Sequence, residues 1–287
     1  MPDGFDFSPA AVAELARADV ARAFAEDVGA GDLTAGLVDP GRRAQALVIA
    51  REAAVVCGGP WLVAAVRQLD PQATITWAVP EGRRSTIGQP VVEIRGNARA
   101  VLTAERTALN FLQLLSGVAT KTATYVEAVR GTRAQIVYTR KTLPGLRLAQ
   151  KYAVRTGGGT NHRIGLYDAV LIKENHIAAA GGVTAVLRSA ADVAPRATFV
   201  QIEVETLAQL EEALGAGAKM VLLDNMELPT LREAVRITAG RAVLEISGGV
   251  TLEGLRALAE TGVDRISIGT LTKDVKATDY SMRFKDL

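Results

Sequence analysis

Cysteine is nearly absent from this 287-residue chain. Cys57 stands alone, so no internal disulfide can form, and a reducing compartment such as the cytoplasm is the expectation. Histidine is as scarce, limited to His162 and His176, and no Cys/His cluster shows metal-site spacing. Neither a GxGxxG nor a Walker A motif occurs, so the two commonest glycine-rich phosphate cradles are missing. Strong charge of one sign is missing too: 33 basic against 31 acidic residues leave a net charge of +2, which argues against a nucleic-acid partner. No apolar run approaches the roughly 18 residues of a membrane span. The start of the chain carries Asp3 and Asp6 but no cationic and apolar leader pattern, so neither a membrane partner nor a signal peptide is expected. What is present is a 48% hydrophobic composition with mean hydropathy +0.16, enough for one large α/β domain or two smaller ones.

Ser8-Pro9 predicts a capped helix start, followed by an Ala-rich helix to about Glu26. Gly29 to Thr34 reads as a loop. AQALVIA, ATITWAV and PVVEIRG, between Ala44 and Arg95, have strand texture, with a helix Trp61–Leu69 among them. From Thr103 a helical segment is expected, broken near Ser116-Gly117 and resumed to Gly131. Beyond it, six short apolar runs (AQIVY, DAVLI, FVQIEVE, KMVLLD, AVLEIS, RISIG) alternate with amphipathic helical stretches. That alternation means βαβ units and a parallel sheet. Six strands rather than eight predict an open, incomplete barrel of TIM-like type.

Polar residues fall at the carboxyl end of each run: Arg140 and Lys141, Lys173, Glu203 and Glu205, Asp224 and Asn225, Ser247-Gly248-Gly249, and Gly269-Thr270. In (β/α) barrels that rim is where catalytic groups converge. The stretch Thr139–Ile177 holds both histidines, Arg140, Lys141, Arg147, Lys151, Arg155, Arg163 and Lys173 against only Asp168 and Glu174. Such a local excess, punctuated by Gly157-Gly158-Gly159, suits a small, highly anionic substrate. Arg147, Lys151 and Arg155 repeat every four residues and read as one solvated helix face. Arg140, Lys141, His162, Arg163 and Lys173 form the candidate anion set. His176 is open between site and structural roles. Glu203 and Asp224 suit Mg²⁺ or ribose hydroxyls, or else simply neutralise nearby cations. Glu205 shares the parity of Glu203 and is expected to face inward as well. The two glycine loops suit a phosphate, or are ordinary turns. Arg106 is placed in a helix's first turn, where a cation opposes the dipole; this suggests an anionic partner, or else it is a surface arginine.

The segments EDVGAGDLT, LTAERTALNFLQLLSGVAT, TRKTLPGLR, KYAVRTGGGTNHRIGLYDAVLIKENHI, EVE, LLDN, LEISGGV and LTKDVKATDYSMRF resemble the quinolinate phosphoribosyltransferases over most of the chain. The resemblance implies an N-terminal α/β sandwich (1–115, rejoined by the tail 273–287) and an open α/β barrel (116–272). It implies a homodimer or larger homo-oligomer in which Arg106 reaches the neighbouring subunit's site. The implied reaction joins quinolinate to phosphoribosyl pyrophosphate with Mg²⁺, yielding nicotinate mononucleotide, pyrophosphate and CO₂. Arg106, Arg140, His162, Arg163 and Lys173 would clamp quinolinate, with Lys141 assisting. Glu203 and Asp224 would hold ribose hydroxyls and Mg²⁺. Ser247, Gly248, Gly249, Gly269 and Thr270 would take the 5′-phosphate. Lys273-Asp274 stands where the family often has a histidine. The ModD-type paralogues of molybdenum-transport operons share the resemblance. Two readings from other classes are a Schiff-base lyase using Lys173 and a non-enzymatic sensor of an anionic metabolite.

Overall fold

The structure, a computed structural model, describes residues 6–285; residues 1–5 and 286–287, including Asp3 of the leader reading and the last two residues of the expected tail, lie outside the described residues. The chain divides into two compact units, one of residues 6–123, 143–158 and 274–285, the other of 124–142 and 159–273.

The first unit opens with helix Pro9–Asp27, capped as expected by Ser8, whose Oγ accepts from the Ala11 amide at 3.4 Å. Its strands are β1 (Arg43–Ala50), β2 (Ala54–Val55), β3 (Thr74–Trp77), β4 (Arg84–Ser85) and β5 (Pro90–Asn97). The C-terminal strand Tyr280–Lys285 pairs antiparallel with β1, completing a four-stranded sheet in the order C-terminal strand, β1, β5, β3. Along β1 the side chains of Ala44, Ala46, Val48 and Ala50 are buried and alternate with more exposed ones, the two-residue period of a sheet with one face on a core. Helix Gly59–Leu69 supplies Trp61, fully buried, its Nε1 donating to Asp19 at 2.8 Å.

A single helix, Ala98–Ala128, replaces the broken helix expected from Thr103. Gly117 does not interrupt it: an added Cβ there would run into the Lys276 carbonyl and reach within 3.2 Å of Ala277 Cα. The glycine serves close packing by the C-terminal segment. The longer helix also moves Arg106 from the first turn to the third, so the dipole argument for its partner fails.

The second unit is a six-stranded, all-parallel sheet of β6 (Gln135–Val137), β7 (Val170–Ile172), β8 (Val200–Val204), β9 (Met220–Asp224), β10 (Val243–Ser247) and β11 (Arg265–Ser267). Its order is β6-β11-β10-β9-β8-β7. The sheet is not closed, matching the expected open barrel, although Thr160 forms an isolated parallel bridge to Val137 on the outer edge of β6. Helices follow the strands as expected, with Thr206 and Thr251 capping Leu207–Gly215 and Leu252–Ala259.

After β6 the helix that comes next, Arg147–Thr156, belongs to the first unit. It is not the solvated face its spacing suggested, because Lys151 is fully buried; Arg155 is exposed and lies 4.8 Å over the Phe7 ring. Gly157, directly behind this helix, is also explained within the first unit. A Cβ there would meet the Ala119 carbonyl and lie 2.7 Å from Thr122 Cβ, so this glycine permits backbone packing rather than approach of a ligand.

Candidate active site

Two cavities open among the strand ends of the second unit. One, of about 340 Å³, is lined by Arg140, Lys141, His162, Arg163, Lys173 and Glu203, together with Tyr138, Leu171, Leu222, Glu245 and Ser267. The other, of about 520 Å³, is lined by Lys141, Lys173, Glu203, Asp224, Ser247, Gly248, Gly249, Gly269, Thr270 and Lys273 among others. The residues anticipated for the site are therefore brought together, with two exceptions. Glu205 is exposed and lines neither cavity, because β8 ends at Val204 and its alternation does not carry further. Arg106 is exposed in the first unit.

The first cavity concentrates positive charge. Arg140 Nε is buried without a hydrogen-bond partner among the described residues. Burial, reinforced by the charge of Arg140, works against the Arg163 guanidinium, while Asp168 favours it. A guanidinium keeps its proton regardless, so this crowding favours a bound anion. Lys173 Nζ donates to Glu203 Oε2 at 2.8 Å, and the pair stands where the two cavities meet.

The loop bearing His162 and Arg163 is fastened from both sides. Tyr138 Oη donates to the Arg163 carbonyl at 2.7 Å and lies 3.3 Å from that of His162. Asp168 accepts from the Ile164 and Gly165 amides at 2.7 and 2.8 Å. His162 is mostly buried; its Nε2 lies 2.9 Å from Gln201 Oε1 and 3.6 Å from Glu245 Oε2. Burial keeps its pKa below the ordinary histidine value. His176 lines neither cavity: its Nδ1 accepts from the Lys173 amide at 3.0 Å, a structural bond at the start of helix Glu174–Ala180.

In the second cavity, burial and then the Glu203 charge raise the Asp224 pKa. Asn225 donates to Asp224 Oδ2 at 2.8 Å from a left-handed backbone, φ 51°. Gly248 and Gly249 also have positive φ, 101° and 54°, and a Cβ on Gly248 would strike the Asn225 side chain, with Cγ at 2.8 Å. Gly269 leaves room for Lys141, whose Cδ would be 3.1 Å from a Cβ there. Lys273 joins this cavity, whereas Asp274 accepts from Lys121 through its carbonyl at 2.8 Å. No group of three or more His, Cys, Asp or Glu suited to a metal occurs among the described residues. Glu203 and Asp224 can supply two oxygens, and a bound diphosphate and water would have to supply the others.

Sequence reading passed over Gln201, Glu245, Ser267, Tyr138 and Asp168. A signal existed for two of them: Gln201 and Glu245 interrupt otherwise apolar strands at inward positions, where a buried polar residue calls for an explanation.

Residues 118–283 match the family described as quinolinate phosphoribosyl transferase, C-terminal domain, and residues 32–116 its N-terminal domain. The chain is 41% identical over 279 residues to the nicotinate-nucleotide pyrophosphorylase [carboxylating] of Mycobacterium leprae, covering 94% of this chain and 97% of that one. It is 40% identical over 259 residues to the probable enzyme of that name from Bacillus subtilis, covering 90% of each. The solved nicotinate-nucleotide pyrophosphorylase of Francisella tularensis superposes with TM-score 0.93 at 41% identity, covering 99% of this chain and 100% of that one. With both domains matched in order over most of its length, the chain belongs to the quinolinate phosphoribosyltransferase family.

Proposed function

We propose that this protein transfers the phosphoribosyl group of phosphoribosyl pyrophosphate to quinolinate, with decarboxylation, as a step of NAD biosynthesis. The observation that carries the proposal is the 340 Å³ cavity, in which the buried Arg140 Nε has no partner among the described residues and Arg163 is crowded by like charge. Its lining also includes Leu171 and Leu222. Apolar walls suit a flat ring, and the cations suit two adjacent carboxylates. The 520 Å³ cavity, with its glycine loops and the start of helix Leu252–Ala259, suits the phosphoribosyl end.

In this arrangement Arg140, His162, Arg163 and Lys173 hold quinolinate, and Arg106 of a neighbouring subunit in a homodimer or larger assembly completes the clamp. Ser247, Gly248, Gly249, Gly269, Thr270 and Lys273 take the 5′-phosphate. Glu203 and Asp224 hold the ribose hydroxyls and would hold Mg²⁺ alongside the diphosphate, where the ion supplies countercharge. Lys141 stands beside the departing pyrophosphate. The pyridine nitrogen forms its bond to C1 as the C1–O bond breaks and pyrophosphate leaves with the electron pair. The carboxylate at C2 then departs as CO₂, and the carbanion, stabilised by the adjacent ring cation, takes a proton. No protein nucleophile is needed: Lys173 is engaged by the Glu203 carboxylate at 2.8 Å, which disfavours the Schiff-base reading. A single buried thiol, Cys57, suits the cytoplasm; no described helix is long and apolar enough to cross a membrane.

The test is release of CO₂ from carboxyl-labelled quinolinate that depends on phosphoribosyl pyrophosphate and Mg²⁺, with nicotinate as competitor. Nicotinate lacks the second carboxylate and should be rejected, because it leaves buried cations unpaired. Binding of both substrates without turnover would overturn the proposal.

A further inference from the structure

Glu245 lies on the inward face of β10 with its side chain fully buried, among cations that the proposed reaction requires. Its Oε1 accepts from Ser267 Oγ. Its Oε2 has no hydrogen-bond partner among the described residues and stands 3.6 Å from His162 Nε2. A buried carboxylate oxygen left like this is costly unless a positive partner arrives. The imidazole is well placed to become that partner. Gln201 Oε1 faces Nε2 at 2.9 Å, and the Phe199 ring meets the imidazole edge-on, 5.0 Å between centroids, fixing its plane.

We propose that Glu245 is a positioning residue that acts through His162, stabilising it as an imidazolium once a dicarboxylate occupies the cavity, so that binding carries a proton into the site. This rests on the assignment of the 340 Å³ cavity to quinolinate. Without a ligand, burial and the charges of Arg163 and Arg265 favour the neutral ring, and Glu245, then the Gln201 hydrogen bond, oppose them. A dianion lying against Arg140 and Arg163 offsets the Arg163 charge and adds negative charge beside the ring. The balance then passes to Glu245, whose Oε2 can share the Nε2 hydrogen with Gln201. The second proton, drawn from solvent, sits on Nδ1, and the ring adds one more positive charge to the clamp.

The chain's two histidines make the test direct. Imidazole NMR on labelled protein, with His176→Gln to assign the signals, reads the state of His162 in the free protein and with quinolinate. Phthalate, which has no ring nitrogen, separates a proton on the protein from one on the ligand. Calorimetry in buffers of differing ionisation enthalpy counts the protons taken up. The expected result is a neutral ring when free, an imidazolium when either dicarboxylate is bound, and uptake approaching about one proton per site. Glu245→Gln keeps an acceptor for Ser267 and removes the charge. It should leave the bound ring neutral and weaken quinolinate about tenfold or more, with the KM for phosphoribosyl pyrophosphate unchanged. Glu245→Asp should restore the imidazolium, which guards against a folding defect in the first variant. A wild-type ring that stays neutral with quinolinate bound, or a Glu245→Gln protein indistinguishable from wild type, overturns the proposal. Failure of both dicarboxylates to bind would instead refute the cavity assignment and take this inference with it.

Discussion

Asp168→Asn is the sharpest single perturbation of the clamp. Asp168 is buried and never enters the cavity; its two oxygens accept from the consecutive amides of Ile164 and Gly165 at 2.7 and 2.8 Å. Hydrogen bonds to a charged group contribute about 1.5–3 kcal/mol each. Asparagine keeps one acceptor and turns an N–H₂ toward the other amide, so one such bond is lost and a buried donor is left facing a donor. The expected destabilisation is about 2–4 kcal/mol, readable as a lower denaturant midpoint with an unchanged slope. The same change loosens the segment that carries His162 and Arg163, and it removes an acid that favours the Arg163 charge. The quinolinate KM should therefore rise roughly tenfold, a loss of about 1.4 kcal/mol, while the KM for phosphoribosyl pyrophosphate stays put. Tyr138→Phe, which deletes the hydroxyl fastening the other side of the loop, should do the same to a smaller degree. A variant within about 0.5 kcal/mol of wild type, or one that raises both KM values equally, would refute the idea that this carboxylate holds the loop.

Gly157→Ala should lower stability by about 1–3 kcal/mol, measured by thermal melting, because its Cβ would press on the backbone at Ala119 and on Thr122; an unchanged melting temperature would show that the helix gives way. Glu81 has its pKa raised chiefly by burial, against the Gly58 and Gly59 amides that lower it. The folded state thus binds this proton more tightly than the unfolded chain. The group's stabilising contribution is full below the ordinary carboxylate pKa, near about 4.3, and is lost as pH rises through the raised native value. Glu81→Gln should accordingly make unfolding free energy fall less steeply with pH above that point, as urea titrations across the range would read. If Arg106 serves a neighbour's site, mixing inactive Arg106→Ala and Lys173→Ala proteins should restore about a quarter of wild-type activity, since random pairing makes half the dimers mixed with one intact site each; no recovery after subunit exchange would return Arg106 to its own chain or to the surface.

Much of the barrel was legible because its strands are short, apolar and separated by amphipathic helices, and that pattern fixes both the parallel sheet and the rim where Arg140, Lys173, Glu203 and Asp224 meet. Local sequence failed where distant segments set the meaning of a residue. Gly117 resembled a helix break, yet it is a helical glycine approached by Lys276 from far along the chain. Lys151 shares the spacing of Arg147 and Arg155, but packing rather than spacing decides which side of a helix meets solvent, and Lys151 is fully buried. Glu205 obeyed the parity of a strand that had already ended. Glu245 escaped notice because attention to charged strand ends skips a charge one step deeper, and only the register beside Leu222 and Arg265 shows that it underlies the rim.

The two cavities are not independent compartments. Lys141, Lys173, Glu203 and Ser247 line both, whereas Arg140, His162 and Arg163 line only the smaller and Gly248, Gly249 and Lys273 only the larger. If the smaller holds the dicarboxylate and the larger the phosphoribosyl group, substitutions must sort by this geometry. Arg140→Ala should raise KM for quinolinate alone. Gly248→Ala, which forces a side chain onto a φ of 101° and against Asn225, should raise KM for phosphoribosyl pyrophosphate alone. Lys173→Ala stands apart, because Lys173 both lines the two cavities and neutralises Glu203 at 2.8 Å. Removing it subtracts a cation from one site and leaves an unpaired carboxylate in the other, so it should raise both KM values and depress kcat as well. Steady-state constants for the three variants would settle the partition: a Lys173 variant impaired toward only one substrate would mean that the residues between the cavities belong to a single site, and that the two substrates do not meet across this lysine and its carboxylate.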